Sequence, residues 1–488
     1  MQVLEDKDKL SLKRWHSVKN MKLVMKFGGS SVANGDCMKK VAKIISDFSS
    51  QGNKLVIVVS ALDGVTDQLL EASEEAKKGN LDYIHGFIHK IEERHLNTAK
   101  DAIKNESLKE EISSIIKSIV EELEKILTGI AYLGELTPKS LDYVLSFGER
   151  LSTPILCYSL LDIGLNSKFF SGKDVGIVTD SNYGEARPLM RLTKYQVKQR
   201  LEPMLDKGII PVVTGYIAAT QEGFITTLGR GGSDYSATII GASLNADEIC
   251  IWTDVDGLMT ADPKIVPSAR TMSEISFQEA IEMALFGAKG LHPRALEPAM
   301  EEGIPVRIRN TFNPENPGTL IGNKKEVKEG EIVKAVSLIK NVSLVSVSGA
   351  GMVGAPGTAA KVFDVLGKNN VNVLMISQSA SEANISFIIK KGSLGKAISA
   401  LEIALLGQGI VREITAEEDI CIIAIVGAGM KGTPGVAARV FNAVAKKGIN
   451  VIMISQGSSE VNISFAVKEK DGEEAVRAIH EEFGLSRR

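Results

Sequence analysis

Between residues 349 and 465 the sequence repeats itself at a constant offset. Gly349-Ala350-Gly351-Met352 returns as Gly427-Ala428-Gly429-Met430, Pro356-Gly357 as Pro434-Gly435, and Asn372 as Asn450. Ile376-Ser377-Gln378 returns as Ile454-Ser455-Gln456, and Ser381-Glu382-x-Asn384-Ile385-Ser386-Phe387 as Ser459-Glu460-x-Asn462-Ile463-Ser464-Phe465. The offset, 427 − 349 = 78 residues, never slips, so this third of the chain must fold as two copies of one unit. Periodicity within a copy predicts a strand, a turn, a helix (357–368), strands at 371–377 and 383–389, a helix (393–406) and a strand at 409–415. That order is βαββαβ. The second copy lacks its last strand, because 409 + 78 falls at the chain end, while an unassigned strand, 332–339, precedes the first copy. We expect that strand to complete the second copy's sheet and interlock the two.

The N-terminal part carries a different signature. Leu23, Val24 and Met25 lead into Lys26-Phe27-Gly28-Gly29-Ser30-Ser31-Val32, followed by a helical pattern from Met38 to Phe48. This reads as a strand, a tight turn and a helix start with a cation at the strand end. Glycines admit backbone N–H groups close to an anion, and a helix start adds about half a positive charge, so a phosphate fits there. Lys54 to Ser60 is a continuous apolar run, as in a strand buried on both faces of a parallel sheet. It ends in the polar loop Ser60–Asp67, on the sheet edge where ligands bind in open α/β folds.

Residues 67–145 read as a helical insertion. Ser107-x-x-Glu110 suggests a capping box, and Ile112, Ile115, Ile116, Ile119, Leu123, Ile126 and Leu127 form one apolar stripe expected in the core. His85, His89 and His95 are expected on a solvated face. Glycine-marked chemistry resumes at Ser146-Phe147-Gly148-Glu149-Arg150 and continues through strand Ile209–Gly215 and Gly229-Arg230-Gly231-Gly232-Ser233-Asp234. Strand Ile249–Thr253 then runs into Asp254-Val255-Asp256-Gly257, and Gly287-Ala288-Lys289 supplies a further lysine. Pro314, Pro317, Gly318 and the charged run Lys324–Glu331 mark a domain end.

Composition excludes several classes. Net charge is −3, which gives no argument for nucleic acid or an anionic membrane. Four cysteines without a Cys-x-x-Cys pair argue for a reduced, cytoplasmic setting and against a metal knuckle. No apolar run is long enough to span a bilayer. Residues 1–20 lack a signal peptide's apolar segment; they read as a disordered extension, with Met21 a candidate start. Gly349-x-Gly351-x-x-Gly354 and its copy match a dinucleotide fingerprint only weakly. The strands after them end in Gln378 and Gln456 where an acidic residue should hold a ribose. No Walker-type loop is present in the sequence.

Taken together, the five N-terminal motifs, followed by tandem repeats similar to ACT regulatory units, resemble an aspartate kinase of the amino-acid kinase superfamily over about residues 21–488. The resemblance implies a three-layer open, mostly parallel α/β sheet with the insertion at 67–145. Two interlocked, ferredoxin-like ACT domains would follow. The expected divisions are a catalytic domain at 21–322, a linker at 323–330, ACT 1 at 341–415, and ACT 2 from 331–340 with 416–488. The chain would lack the homoserine dehydrogenase domain of fused relatives.

The implied reaction transfers the γ-phosphoryl of Mg-ATP to the β-carboxylate of L-aspartate. With a solution pKa of ~3.9 that nucleophile is already ionised, so charge neutralisation matters more than a general base. By resemblance, Lys26 and Asp234 are catalytic, and Ser30, Thr66, Glu149, Arg150, Arg230 and Ser233 bind aspartate. Glu149 would take the ammonium and Arg230 the α-carboxylate. Lys26, Phe27, Gly28, Gly29, Thr253, Asp254, Lys264 and Lys289 would hold the nucleotide, with Mg held by ATP rather than by protein ligands. Leu258-Met259 and Asp262-Pro263-Lys264 depart from the family's Val-Tyr and Asp-Pro-Arg, which weakens the nucleotide assignment.

The ACT-like units imply feedback by an amino acid, threonine favoured and lysine the rival. Met352, Gly357, Thr358, Ala359, Asn372, Gln378 and Asn384 would line one pocket, and Asn450, Gln456 and Asn462 a second. A homodimer or larger oligomer through these units is expected, with no nucleic acid or membrane partner. A non-catalytic amino-acid sensor and a kinase of another small amino acid remain alternatives.

Overall fold

The structure, a computed structural model, describes residues 20–286, 291–323, 332–380, 383–406 and 411–486. The extension 1–19 and the linker run 324–331 therefore lie outside the described residues. The chain divides into two compact units: Met1–Leu258 with Ser273–Phe277 and Gly290–Asn323, and Met259–Met272 with Gln278–Lys289 and Lys324–Arg488.

The first unit is built on the apolar runs seen in the sequence. Its strands are β1 (Lys22–Phe27), β2 (Lys54–Val59), β3 (Ser167–Phe170), β4 (Val178–Thr179), β5 (Ile210–Thr214), β6 (Ile217–Thr220), β7 (Ile225–Thr227), β8 (Glu248–Thr253), β9 (Glu274–Ser276), β10 (Val306–Asn310) and β11 (Thr319–Gly322). Eight form one sheet in the order β3-β5-β2-β1-β8-β10-β11-β9, parallel except between β10 and β11. β1 and β2 are buried almost end to end, as strands covered on both faces must be. A small sheet, β4-β6-β7, stands beside it.

The insertion is helical: Val65–Lys77, Leu81–Ala102, Glu106–Leu133 and Pro138–Leu145. Three local expectations change. Asn105, not Ser107, caps the third helix, its side chain accepting the Leu108 N–H at 3.2 Å; Ser107 already lies inside the helix, so no capping box forms there. The apolar stripe splits, with Ile112, Ile116, Leu123 and Leu127 buried but Ile115, Ile119 and Ile126 only half-buried. His85 and His89 are exposed, but His95 is wholly buried, its Nδ1 2.7 Å from the Ile91 carbonyl oxygen. That bond makes Nδ1 the donor and leaves Nε2 buried without a hydrogen-bond partner among the described residues. Burial drives the His95 pKa down to about 4.

In the second unit one antiparallel sheet serves both repeats. Its strands are β12 (Ala335–Ser348), β13 (Val373–Gln378), β14 (Asn384–Lys390), β15 (Glu413–Val426), β16 (Met453–Gln456) and β17 (Asn462–Lys468), ordered β13-β14-β12-β15-β17-β16. Ala335–Ile339 pairs with Ile422–Val426, the opening strand of the second copy, as an interlock requires. Two strands predicted as separate prove continuous with their neighbours: β12 and β15 each run 14 residues through both copies. The register of the pair shifts between Ile339 and Val342, where Asn341 takes a φ of 60°, so the ladder changes alignment without breaking. The copies repeat in packing as well. Phe363 meets Phe387 edge to face at 6.1 Å, and Phe441 meets Phe465 the same way at 5.6 Å. Segments 259–272 and 278–289 belong to this unit. Ala261 and Val266 share a core with Val440 and Phe465, and the Thr260 carbonyl accepts the Val336 N–H.

Candidate active site

The site lies at the C-terminal ends of the central parallel strands, where backbone polarity and loops converge. Lys26, near the end of β1, is buried, and its Nζ stands 2.6 Å from Asp234 Oδ1. Asp234 occupies the first turn of the helix Gly232–Leu244, where the helix dipole favours an anion. The contact is a close ion pair without hydrogen-bond direction at Oδ1. The glycines after Lys26 keep the space over the ammonium open. A Cβ on Gly28 would sit 3.5 Å from Lys26 Nζ, and one on Gly29 would sit 3.2 Å from the Ala61 carbonyl oxygen. Residues Gly29–Val32 form one 3-10 turn with Ser30 half-buried. Phe27 offers the site only backbone, because its ring is buried and stacked 5.8 Å from Trp252.

Glu149 is the electrostatic anomaly. Its side chain is buried in the helix Phe147–Asp162, and Oε1 accepts the Ala61 N–H at 3.2 Å. Oε2 has no hydrogen-bond partner among the described residues. Burial pushes this carboxyl up to about 8, against weaker pulls from the Ala61 N–H, its own backbone N–H and the Lys26 charge. A buried acceptor oxygen without a donor costs about 1–3 kcal/mol, so it is built to meet a cation or a proton. Gly148 permits the approach, since a Cβ there would come 2.8 Å from that of Ala61. The same loop leads into the helix Val65–Lys77, with Thr66 half-buried on its first turn.

Arg230 is exposed between Gly229 and Gly231, whose φ angles of 76° and 71° lie in the left-handed region. Ser233 packs against Gly215, where a Cβ would meet the Ser233 hydroxyl at 2.6 Å. Thr253 ends β8, and its hydroxyl donates to the carboxylate of the next residue, Asp254, at 3.0 Å. Arg150 turns the other way: it grips Glu122 through two nitrogens, at 2.5 and 3.2 Å, and lies over the Phe147 ring. Lys264 belongs to the second unit, where its backbone N–H bonds Asp262. Lys289 lies outside the described residues.

Three residues here escaped the sequence reading. Asp142 is buried and accepts from the Thr227 N–H (2.9 Å), the Thr227 hydroxyl (2.7 Å) and the Gly184 N–H (3.0 Å). Tyr216 holds a φ of 64°, and burial pushes its phenol up to about 12, with the Glu149 and Asp142 charges adding to it. His292 packs on Gly231; burial first, then the charges of Arg230 and Arg294, hold its pKa down. Only tertiary contact reveals any of them.

In the repeats, Gly354 and Gly432 share φ angles of 64° and 66°, and Gly357 and Gly435 share 85° and 84°. Met352 is buried, Ala359 half-buried, and the Thr358 hydroxyl donates to the Ala355 carbonyl. Asn372, Gln378, Asn450 and Gln456 are exposed. Asn384 and Asn462 each accept a hydroxyl, from Ser386 and Ser464. The copies then differ. Asn462 donates to Glu282 at 3.1 Å and the Ala428 N–H to Glu279 at 2.6 Å, both carboxylates on the helix Phe277–Leu285. No such carboxylate pair stands at Asn384 and Ala350 among the described residues. A cavity of about 340 Å³ opens instead beside Asn384, Ser386 and Val451–Ile454.

Residues 21–310 match the model of the amino acid kinase family, and residues 345–405 and 423–483 each match an ACT domain model. Aspartokinase 1, chloroplastic, of Arabidopsis thaliana is 35% identical over 95% of this chain and 80% of its own length. The chain belongs to the aspartokinases of the amino acid kinase family. Escherichia coli aspartokinase III, solved in complex with aspartate and ADP, superposes with a TM-score of 0.77 at 30% identity, covering 94% of this chain and 99% of that one. The bifunctional aspartokinase/homoserine dehydrogenase 2 of A. thaliana is 36% identical over 95% of this chain and 51% of its own. The chain thus spans about half the length of its bifunctional relatives. Among the described residues, no helix is long and apolar enough to cross a membrane.

Proposed function

We propose that this aspartokinase transfers the γ-phosphoryl of Mg-ATP to the β-carboxylate of L-aspartate, giving 4-phospho-L-aspartate. The observation that carries the reading is the free, buried Oε2 of Glu149 within the field of the Lys26 ammonium. A substrate ammonium on that oxygen removes its desolvation cost and leaves the other end of the molecule to the cations. Arg230 clamps the α-carboxylate, with Ser233 and Thr66 beside it. Lys26, aligned by Asp234, neutralises charge on the transferring group while the Gly28 and Gly29 turn closes over it. Ser30 borders the turn, and Thr253 and Asp254 edge the nucleotide at the end of β8. The aspartate and ADP in the E. coli enzyme's structure support this pairing of ligands.

The product would open the routes to lysine, threonine and methionine, with an end product acting back through the repeats. The cavity beside Asn384 is the proposed effector seat, for threonine first and lysine second; the E. coli enzyme has been solved with lysine. Dimerisation through the ACT units is part of the same proposal. A reducing compartment, the cytoplasm, suits four cysteines that are all free. The test is ADP release with Mg-ATP and L-aspartate, run beside Lys26→Ala and Arg230→Ala. Turnover in the parent and loss in both variants is expected. An inactive parent that still binds threonine or lysine would instead support a sensor.

A further inference from the structure

The helix Glu106–Leu133 carries more apolar surface than the core uses. Ile112, Ile116, Val120, Leu123 and Leu127 fill the core, but Ile115, Ile119 and Ile126 form a second row at i, i+4 and i+11 on another face. That row is half-exposed. It lines an open cavity of about 890 Å³, whose far walls come from the helices Pro138–Leu145 and Phe147–Asp162, the edge strand β3 and the β6–β7 hairpin. The volume falls in the range of small-molecule sites, and the lining is mainly apolar.

Three features distinguish it from a packing defect. Gly129 stands in the wall towards the C-terminal end of the long helix, and a Cβ built there meets nothing within 4 Å; a side chain costs no strain at that position, yet none is present. Thr153, fully buried in the opposite wall, has a hydroxyl without a hydrogen-bond partner among the described residues. Such a group is costly to keep unless something pairs with it. The charges are one-sided. Lys125, Lys139 and Lys173 border the cavity, whereas its one lining carboxylate, Asp174, is taken by the Ser171 backbone and hydroxyl. Lys139 and Lys173 both lean on the β6–β7 hairpin, over Phe224 and onto the Gly223 carbonyl, so their ammonium groups are held at the mouth.

We propose that this cavity is a binding site for a small amphipathic carboxylate, with its apolar body along Ile115, Ile119 and Ile126 and its anionic end at the lysines. The site is separate from the one around Lys26 and Glu149, and the inference does not depend on the kinase reading. A carboxylate satisfies the lysines with charge-assisted bonds while the chain removes the half-exposed isoleucines from water.

The test uses the full chain, with 8-anilinonaphthalene-1-sulfonate as a fluorescent apolar anion and decanoate as competitor. Saturable one-to-one binding, displaced by decanoate and at least tenfold less well by decanol, is expected. Gly129→Trp fills the cavity from a position with open space and should weaken both ligands at least tenfold while leaving circular dichroism and melting intact. Lys125→Glu should weaken decanoate but not decanol. Binding unchanged in Gly129→Trp, equal displacement by decanol, or a Gly129→Trp variant whose only change is in sedimentation would overturn the proposal. The last result would assign the face to a second copy of the chain.

Discussion

The Asp142 carboxylate holds both the backbone N–H and the hydroxyl of Thr227, 85 residues further along the chain. Thr227 ends β7, and the next residues are Leu228, Gly229 and Arg230, so a helix of the insertion fixes the strand from which the arginine loop departs. Asp142→Ala leaves the buried Thr227 N–H and the half-buried Gly184 N–H without acceptors, at about 1–3 kcal/mol for a fully buried group. Chemical denaturation should therefore show a loss of about 2–5 kcal/mol. Asp142→Asn keeps one acceptor oxygen, so it should fold with a smaller loss but raise KM for aspartate several-fold. An unaltered KM in Asp142→Asn would separate this network from the substrate loop.

Glu149 should make substrate binding release a proton. With its pKa pushed up to about 8, the carboxyl is mostly protonated in the empty site at pH 7, and a substrate ammonium favours the ionised form. Calorimetry at pH 7 in buffers of different ionisation heat should read release of nearly one proton per aspartate, fading above pH 8. Glu149→Gln should release none and bind aspartate more weakly by about 2–3 kcal/mol, the worth of a charged hydrogen bond. For stability the sign is opposite to that of a salt-bridged acid. Between pH 4.5 and 8 the folded chain holds a proton that the unfolded chain has lost, so this group's contribution falls as pH rises.

His95 should set part of the acid limit. Its folded pKa of about 4 lies below the ordinary 6.5, so the unfolded chain binds the extra proton between those values and stability is lost as pH falls through them. The shift corresponds to about 3 kcal/mol at full extent. Urea titrations at pH 7 and pH 4.5 should show His95→Leu losing less on acidification than the parent. Equal losses would mean that another group controls the limb.

Glu279 is wholly buried in the second unit, between the Lys334 ammonium at 3.2 Å and the Ala428 N–H at 2.6 Å. Breaking a buried ion pair by removing one partner is strongly destabilising, by about 3–5 kcal/mol. Glu279→Ala should lower the melting of the repeat unit. Glu279→Ala with Lys334→Met should recover part of that loss; no recovery would mean that the Lys334 pair is not what makes the carboxylate matter.

What was legible in the sequence was local or periodic. Glycine-rich turns drew attention to Lys26, Glu149, Arg230 and Asp234, because a close backbone approach leaves a compositional trace; the structure pairs Lys26 with Asp234 and buries Glu149. The interlocked repeat was readable because a missing strand and a surplus strand can be matched by arithmetic. The remainder depended on contacts between distant segments. Asp142 carries no local sign of pairing with Thr227, and His95 is buried only because neighbouring helices cover its face. Asn341 lets β12 run on through a left-handed residue where a break was expected. Segments 259–272 and 278–289 leave the first unit and return without any change in composition.

β12 and β15 impose a rule of inheritance on the repeat half. Each strand gives one of its ends to each copy, so neither copy is a cassette that recombination could delete or graft alone. A crossover between residues 349 and 412 would strip both of a backbone ladder at once. The smallest piece that can be moved into another enzyme is the whole pair, which ties the two copies to a common fate while leaving their side chains free to diverge.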